Sequence, residues 1–91
     1  NSQLCTLADE VAYLRNYIKI MNYRFGEGLK FVCTVDDTQR DLMILRFILQ
    51  PIVENCIVHG MTGKKLTLEI SMSAKTENGD LVLEISDNGI G

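Results

Sequence analysis

The sequence predicts an α/β (α+β) chain folded as a two-layer sandwich, with helices on one face of a mixed, largely antiparallel sheet. Three observations predict it. Leu4, Leu7, Val11, Leu14, Ile18, Met21 and Phe25 recur at spacings of 3 and 4, a helical stripe. Leu66, Leu68, Ile70 and Met72, and then Leu81, Leu83 and Ile85, alternate with mostly polar residues on either side of Asn78-Gly79, the signature of a hairpin. Between these, apolar positions 45, 48, 49, 52, 53, 56 and 57 hold a second helical period. The order helix, strand, helix, hairpin leaves the helices to cover one side of the strands.

The first stripe makes a helix of roughly 20 residues and about 30 Å within positions 1–28. Thr6 with Asp9 three residues on caps its start, and Gly26 and Gly28 stop it. It packs on the domain's own sheet; continuation upstream into a dimerising helix is the less favoured reading. Leu29 to Val35 alternates Leu29, Phe31, Cys33 and Val35 against Lys30, Val32 and Thr34, a strand with one buried face. Asp36 to Asp41 is a polar loop. The second helix runs either from Pro51 or, as the unbroken stripe favours, over positions 45–60 with a distortion at Pro51. Gly60 and Gly63 end it. Positions 65–91 then hold the hairpin and a glycine-rich end.

At 91 residues the chain is one domain, able to bury roughly two-thirds of the surface its unfolded form exposes. A net charge of −3 and the lack of a basic stripe argue against nucleic-acid binding. Three widely spaced cysteines and a single histidine argue against a zinc site. Cys33 and Cys56 lie in apolar runs, as buried thiols of a reducing compartment do. No apolar run reaches the ~18 residues of a membrane span. The missing initial Met and the stop at Gly91 are read as those of a fragment.

Leu49–Gly60, LQPIVENCIVHG, is apolar apart from its first residues' Gln50 and the trio Glu54, Asn55 and His59. Asn55 and His59 are four apart and share a helix face; Glu54 stands about 100° away. Asn55 could offer its amide oxygen to Mg²⁺, or could bond a neighbouring backbone. His59 could meet a phosphate or ribose, although a histidine satisfied at the helix end is the commoner case. Parity from Leu81 places Asp87 on the row of Leu83 and Ile85. There it could accept from a base-edge amino group, or it could cap the turn that follows; parity leaves the two even. Gly89 and Gly91 permit tight turns and close ligand approach. Lys64 and Lys65 could meet phosphate, but such a pair is more often a solvated turn.

An Asn on a buried helix, followed by a hairpin ending in Asp-x-Gly-x-Gly, resembles the ATP-binding domain of histidine kinases and the related gyrase, Hsp90 and MutL ATPases. LQPIVENCIVHG is similar to the N box of LytS-type sensor histidine kinases, usually close to LQPLVENAIKHG. DNGIG is similar to their first glycine box, and LADEVAYLRNYIKIMNYRFGEGLKF to their upstream helical segment. The resemblance implies an incomplete Bergerat-type ATP-binding fold spanning 1–91. Asn55 would be the Mg²⁺ ligand under the ATP phosphates, and Asp87 would receive the adenine amino group. Gly89 and Gly91 would let the backbone pass the nucleotide, and His59 with Gly60 would complete the ATP-binding set. Glu54 would be the catalytic residue, polarising the acceptor or a water. The reaction moves the γ-phosphoryl of ATP to a histidine in the same protein, mainly by positioning and charge neutralisation. The implied partners are the dimerisation and phosphoacceptor region, a response regulator and a second copy, in the cytoplasmic part of a membrane-anchored protein.

Three departures stand out. Val58 replaces a lysine able to touch phosphate, and Cys56 replaces a small Ala. The ATP lid, the second glycine box and the acceptor histidine are not in the sequence, so the chain alone is expected not to autophosphorylate and to bind ATP weakly or not at all. A gyrase- or Hsp90-type ATPase is disfavoured, because Pro51 stands where that class carries its general-base Glu. The remaining alternative is a non-catalytic binding or dimerisation module of the same fold.

Overall fold

A computed structural model describes residues 3–26, 28–60 and 67–88. In chain order the elements are strand β1 (Leu4–Thr6), helix α1 (Leu7–Phe25), strand β2 (Leu29–Thr34), a 3-10 turn (Asp37–Gln39), strand β3 (Met43–Leu45), helix α2 (Gln50–Gly60) and strands β4 (Leu68–Glu77) and β5 (Asp80–Asp87). The predicted two-layer α+β sandwich is the observed fold.

The main sheet has the order β2-β4-β5. β2 runs parallel to β4 from Leu29↔Leu68 to Thr34↔Ser73, and β4 runs antiparallel to β5 from Ile70↔Asp87 to Glu77↔Asp80. The register puts Leu29, Phe31 and Cys33, Leu68, Ile70 and Met72, and Leu83 and Ile85 on one side. That side packs against Leu7, Leu14 and Ile18 of α1 and Val53 and Ile57 of α2. Each fully buried aliphatic side chain there contributes about 1.5–3 kcal/mol. On the other side Lys75 bridges Glu77 at 2.9 Å and Glu84 at 3.5 Å, exposed pairs that add little.

Local chemistry explains the boundaries. Thr6 is extended, and its hydroxyl accepts from the Asp9 N–H at 3.1 Å, so α1 begins at Leu7. Gly26 ends it at φ 79°. The Asn22 side chain then fastens the end of α1 to β2, donating to the Leu29 carbonyl at 2.8 Å and accepting from the Leu29 N–H at 2.7 Å. The hairpin turns on Asn78 at φ 52° and Gly79 at φ 84°, as a two-residue turn of right-handed strands requires. Gly79→Ala should therefore cost about 1–2 kcal/mol, read as a lower urea midpoint with unchanged slope.

The first helix occupies 7–25 within positions 1–28, between the predicted Thr6 cap and the Gly26 stop; Leu4 of its stripe is corrected, because Leu4–Thr6 pairs antiparallel with Met43–Leu45. The second begins at Gln50 rather than at 45, with Pro51 in its first turn, where the missing N–H costs nothing. Phe47, at φ 65°, breaks the path between β3 and α2. The apolar period across 45–49 came from strand and turn residues that fell in phase with the helix. Among the described residues no helix is long and apolar enough to cross a membrane.

Candidate functional site

The site residues sit where the C-terminal end of β5, beside the start of β4, meets α2. Along α2 the burial is uneven: Val53, Ile57 and Gly60 face the sheet, whereas Asn55 and His59 are exposed. The Asn55 side chain makes no hydrogen bond among the described residues, so the alternative of a neighbouring backbone partner is not realised there. Glu54 is half-buried on another side of the helix, close enough to Tyr17 of α1 for its charge to act there. Burial first, and the Glu54 carboxylate second, push the Tyr17 hydroxyl up. The structure thus brings Asn55 and His59 to one face and turns Glu54 toward α1.

Asp87 lies opposite Ile70, on the helix-facing side of the sheet, but at its solvent-exposed end. The Cys56 thiol lies close enough to its carboxylate for the two to interact. Burial, then the neighbouring Asp87 carboxylate, push the thiol up to about 11. A raised thiol pKa favours folding while the thiol is protonated; that contribution is whole below the ordinary 9.0 and is lost as pH rises through about 11. At pH 8 Cys56 should alkylate about 100-fold more slowly than an ordinary thiol, in proportion to its thiolate fraction. Asp87→Ala should raise that rate, as mass spectrometry after timed iodoacetamide exposure would show; equal rates in the two proteins would contradict the contact.

Asn88 fixes the end of β5. Its side-chain oxygen accepts from the Glu69 N–H at 2.7 Å, and its own N–H donates to the Glu69 carbonyl at 3.1 Å. Asp87 therefore projects from an anchored strand end. Gly60 presents no Cβ to β4: one added there would come within 2.5 Å of Leu68 Cδ1. Gly89 and Gly91, with Lys64 and Lys65, lie outside the described residues. Cys56 and Asn88 were missed as site residues. The first stood out only as a replacement for Ala, and the second only as the middle of Asp-Asn-Gly.

Among the described residues no three of His, Cys, Asp and Glu gather as a metal site. One exposed amide oxygen, that of Asn55, suits a hard cation that keeps its water and phosphate ligands, which is the habit of Mg²⁺. A separate cleft of about 200 Å³ between α1 and β2 is lined by Ala8, Arg15, Cys33 and Arg40 among others, and contains none of these residues.

An apolar helix presenting Asn55 and His59 thus stands near the strand-end Asp87 on a two-layer α+β sandwich. Sequence comparison is specific about the family. The chain is 37% identical over 87 residues to the sensor histidine kinase BtsS of Escherichia coli, covering 96% of the chain and 16% of that protein. It is 32% identical over 88 residues to the sensor histidine kinase YesM of Bacillus subtilis, covering 97% and 15%. It is 33% identical over 91 residues to the sensor protein kinase HptS of Staphylococcus aureus, covering 100% and 17%. No protein-family profile matches the chain. Over nearly its whole length the chain is thus similar to sensor histidine kinases, as a fragment of a histidine-kinase domain is, and it spans about one sixth of the length of the curated relatives it matches.

Proposed function

We propose that the chain is the ATP-binding part of a sensor histidine kinase's catalytic domain, serving transfer of the γ-phosphoryl group to a histidine of the same protein. The observation that carries this is the Cys56–Asp87 contact, which puts the strand-end carboxylate against the helix bearing Asn55 and His59. Asp87 is exposed at the strand end, where a carboxylate, an acceptor with about four lone-pair sites, can meet an adenine amino group. Asn55, exposed and without a side-chain partner among the described residues, is left to hold Mg²⁺. Bound there, Mg²⁺ would neutralise phosphate charge during transfer. His59 and Gly60 border the phosphates and ribose, and Gly89 and Gly91 pass the base. Glu54, on the α1 side, is the candidate for polarising the accepting imidazole. The reading extends to a homodimer whose phosphoacceptor region supplies the histidine, to a response regulator as onward acceptor, and to a cytoplasmic site in a membrane-anchored protein.

The test is incubation of the full-length protein with γ-labelled ATP and Mg²⁺. Acid-labile, alkali-stable label on the protein supports the kinase. Release of inorganic phosphate without protein label would instead indicate a gyrase- or Hsp90-type ATPase. Absence of nucleotide binding would indicate a binding or dimerisation module, the reading that Val58, 57% exposed where the resembled N box has a lysine, favours.

A further inference from the structure

One buried charge has no part in the site described above. Glu10, on the first turn of α1, is 2% exposed and faces the start of α2. Its Oε1 accepts from the Phe47 N–H at 3.2 Å and from the Cys5 thiol at 3.7 Å, and its Oε2 accepts from the Leu49 N–H at 3.4 Å. A buried carboxylate is costly unless its lone pairs are filled, and here three donors from β1 and the β3–α2 turn fill them.

Helix α2 lacks what Glu10 brings. Leu49 precedes it, and the Leu49 carbonyl accepts the first α2 bond, from the Val53 N–H at 3.1 Å. Leucine has no oxygen with which to cap a helix, and α2 carries no acidic residue in its first turn. The positive end of the helix dipole therefore finds its negative charge on another element. The same carboxylate holds Phe47 at φ 65°, a backbone conformation that a bulky residue adopts only when its surroundings impose it. Asn55 stands six residues beyond Leu49, about 9 Å along the axis. A slip of one residue at the start would rotate it by about 100°.

We propose that Glu10 is a positioning residue for the nucleotide site: its carboxylate, clasped by Phe47 and Leu49, sets where α2 starts and hence where Asn55 and His59 stand. This rests on the ATP-binding reading. In Glu10→Gln the Oε2 acceptor becomes an amide or the Oε1 acceptor does, so one of the two backbone donors loses its partner while side-chain volume is kept.

The experiment uses the full-length protein, with hydrogen exchange and Mg²⁺–ATP titration on wild type and Glu10→Gln. In the wild type the Phe47 and Leu49 amides should exchange slowly, although Phe47 lies outside any helix or strand and is 49% exposed. In Glu10→Gln the amides from Phe47 through α2 should exchange about tenfold faster while those of β4 keep their rate, and the Kd for Mg²⁺–ATP should rise about tenfold. Equal acceleration in α2 and β4 would mark a general loss of stability and overturn the proposal. So would fast Phe47 and Leu49 amides in the wild type, a measurement that needs no variant to fold. Tight nucleotide binding unchanged by Glu10→Gln would overturn the positioning role alone. A wild type that binds no nucleotide would instead overturn the ATP reading, and this proposal with it.

Discussion

Asn55→Ala is expected to lower phosphotransfer by about 100-fold or more, since loss of a metal ligand forfeits several kcal/mol of charge stabilisation in the transition state. The same substitution should leave the fold intact or slightly firmer. Asn55 is exposed on α2, and its side chain has no hydrogen-bond partner among the described residues. Alanine favours a helix interior over asparagine by about 0.5–0.7 kcal/mol, and surface changes rarely exceed about 0.5 kcal/mol otherwise. Function and stability should thus move in opposite directions. Labelled transfer measured beside a thermal melt separates them. A parallel fall in both would mean that Asn55 serves the fold, and unchanged transfer would remove it from the site.

Gly60→Val should be the most damaging single change to stability among those considered. A Cβ at this position would sit 2.5 Å from Leu68 Cδ1, 2.8 Å from Cδ2 and 3.1 Å from Cγ. Leu68 is wholly buried, against both the end of α2 and the sheet, so it has nowhere to swing. Overfilling of this kind typically costs about 1–3 kcal/mol, and valine's two further methyl groups put the cost at the upper end. For a chain of this length total stability is about 5–14 kcal/mol, so the loss would be a large fraction of it. A denaturant titration should show a lower midpoint. The clash also predicts coupling: Gly60→Ala should harm a Leu68→Ala protein less than the wild type, by about 1 kcal/mol or more in a double-mutant cycle. Strict additivity would mean that the helix end can shift away from β4.

The larger elements were legible because they repeat. Nineteen residues of α1 and eighteen of the hairpin carry enough period to fix their faces, and Asn78-Gly79 fixed the turn between β4 and β5. The parity count for Asp87 survives as its pairing with Ile70, because a strand alternates without drift. What escaped was short or non-local. β1 and β3 have three residues each, too few for any period, and both were absorbed into neighbouring helical stripes. Pro51 was taken for a distortion because residues 45, 48 and 49 happened to stay in phase; the break lies at Phe47, whose backbone angle no pattern of apolar residues encodes. The same holds for the site. Asn55 and His59 could be placed on one face from their spacing, but the Cys56–Asp87 contact joins residues 31 apart, and the Glu10 clasp joins Glu10 to Phe47 and Leu49 across 37 and 39 positions. Contacts of that kind are set by how the layers stack, which spacing along the chain does not record.

The central claim is that the α2 face and the end of β5 are two walls of one nucleotide pocket. Hydrogen-exchange footprinting of the full-length protein with and without Mg²⁺–ATP tests it most directly. The account predicts protection gathered in residues 50–60 and at Ser86, Asp87 and Asn88, reduced by Asn55→Ala and by Asp87→Ala. Protection in the Arg15–Arg40 cleft between α1 and β2, with none at α2 or the end of β5, would contradict it.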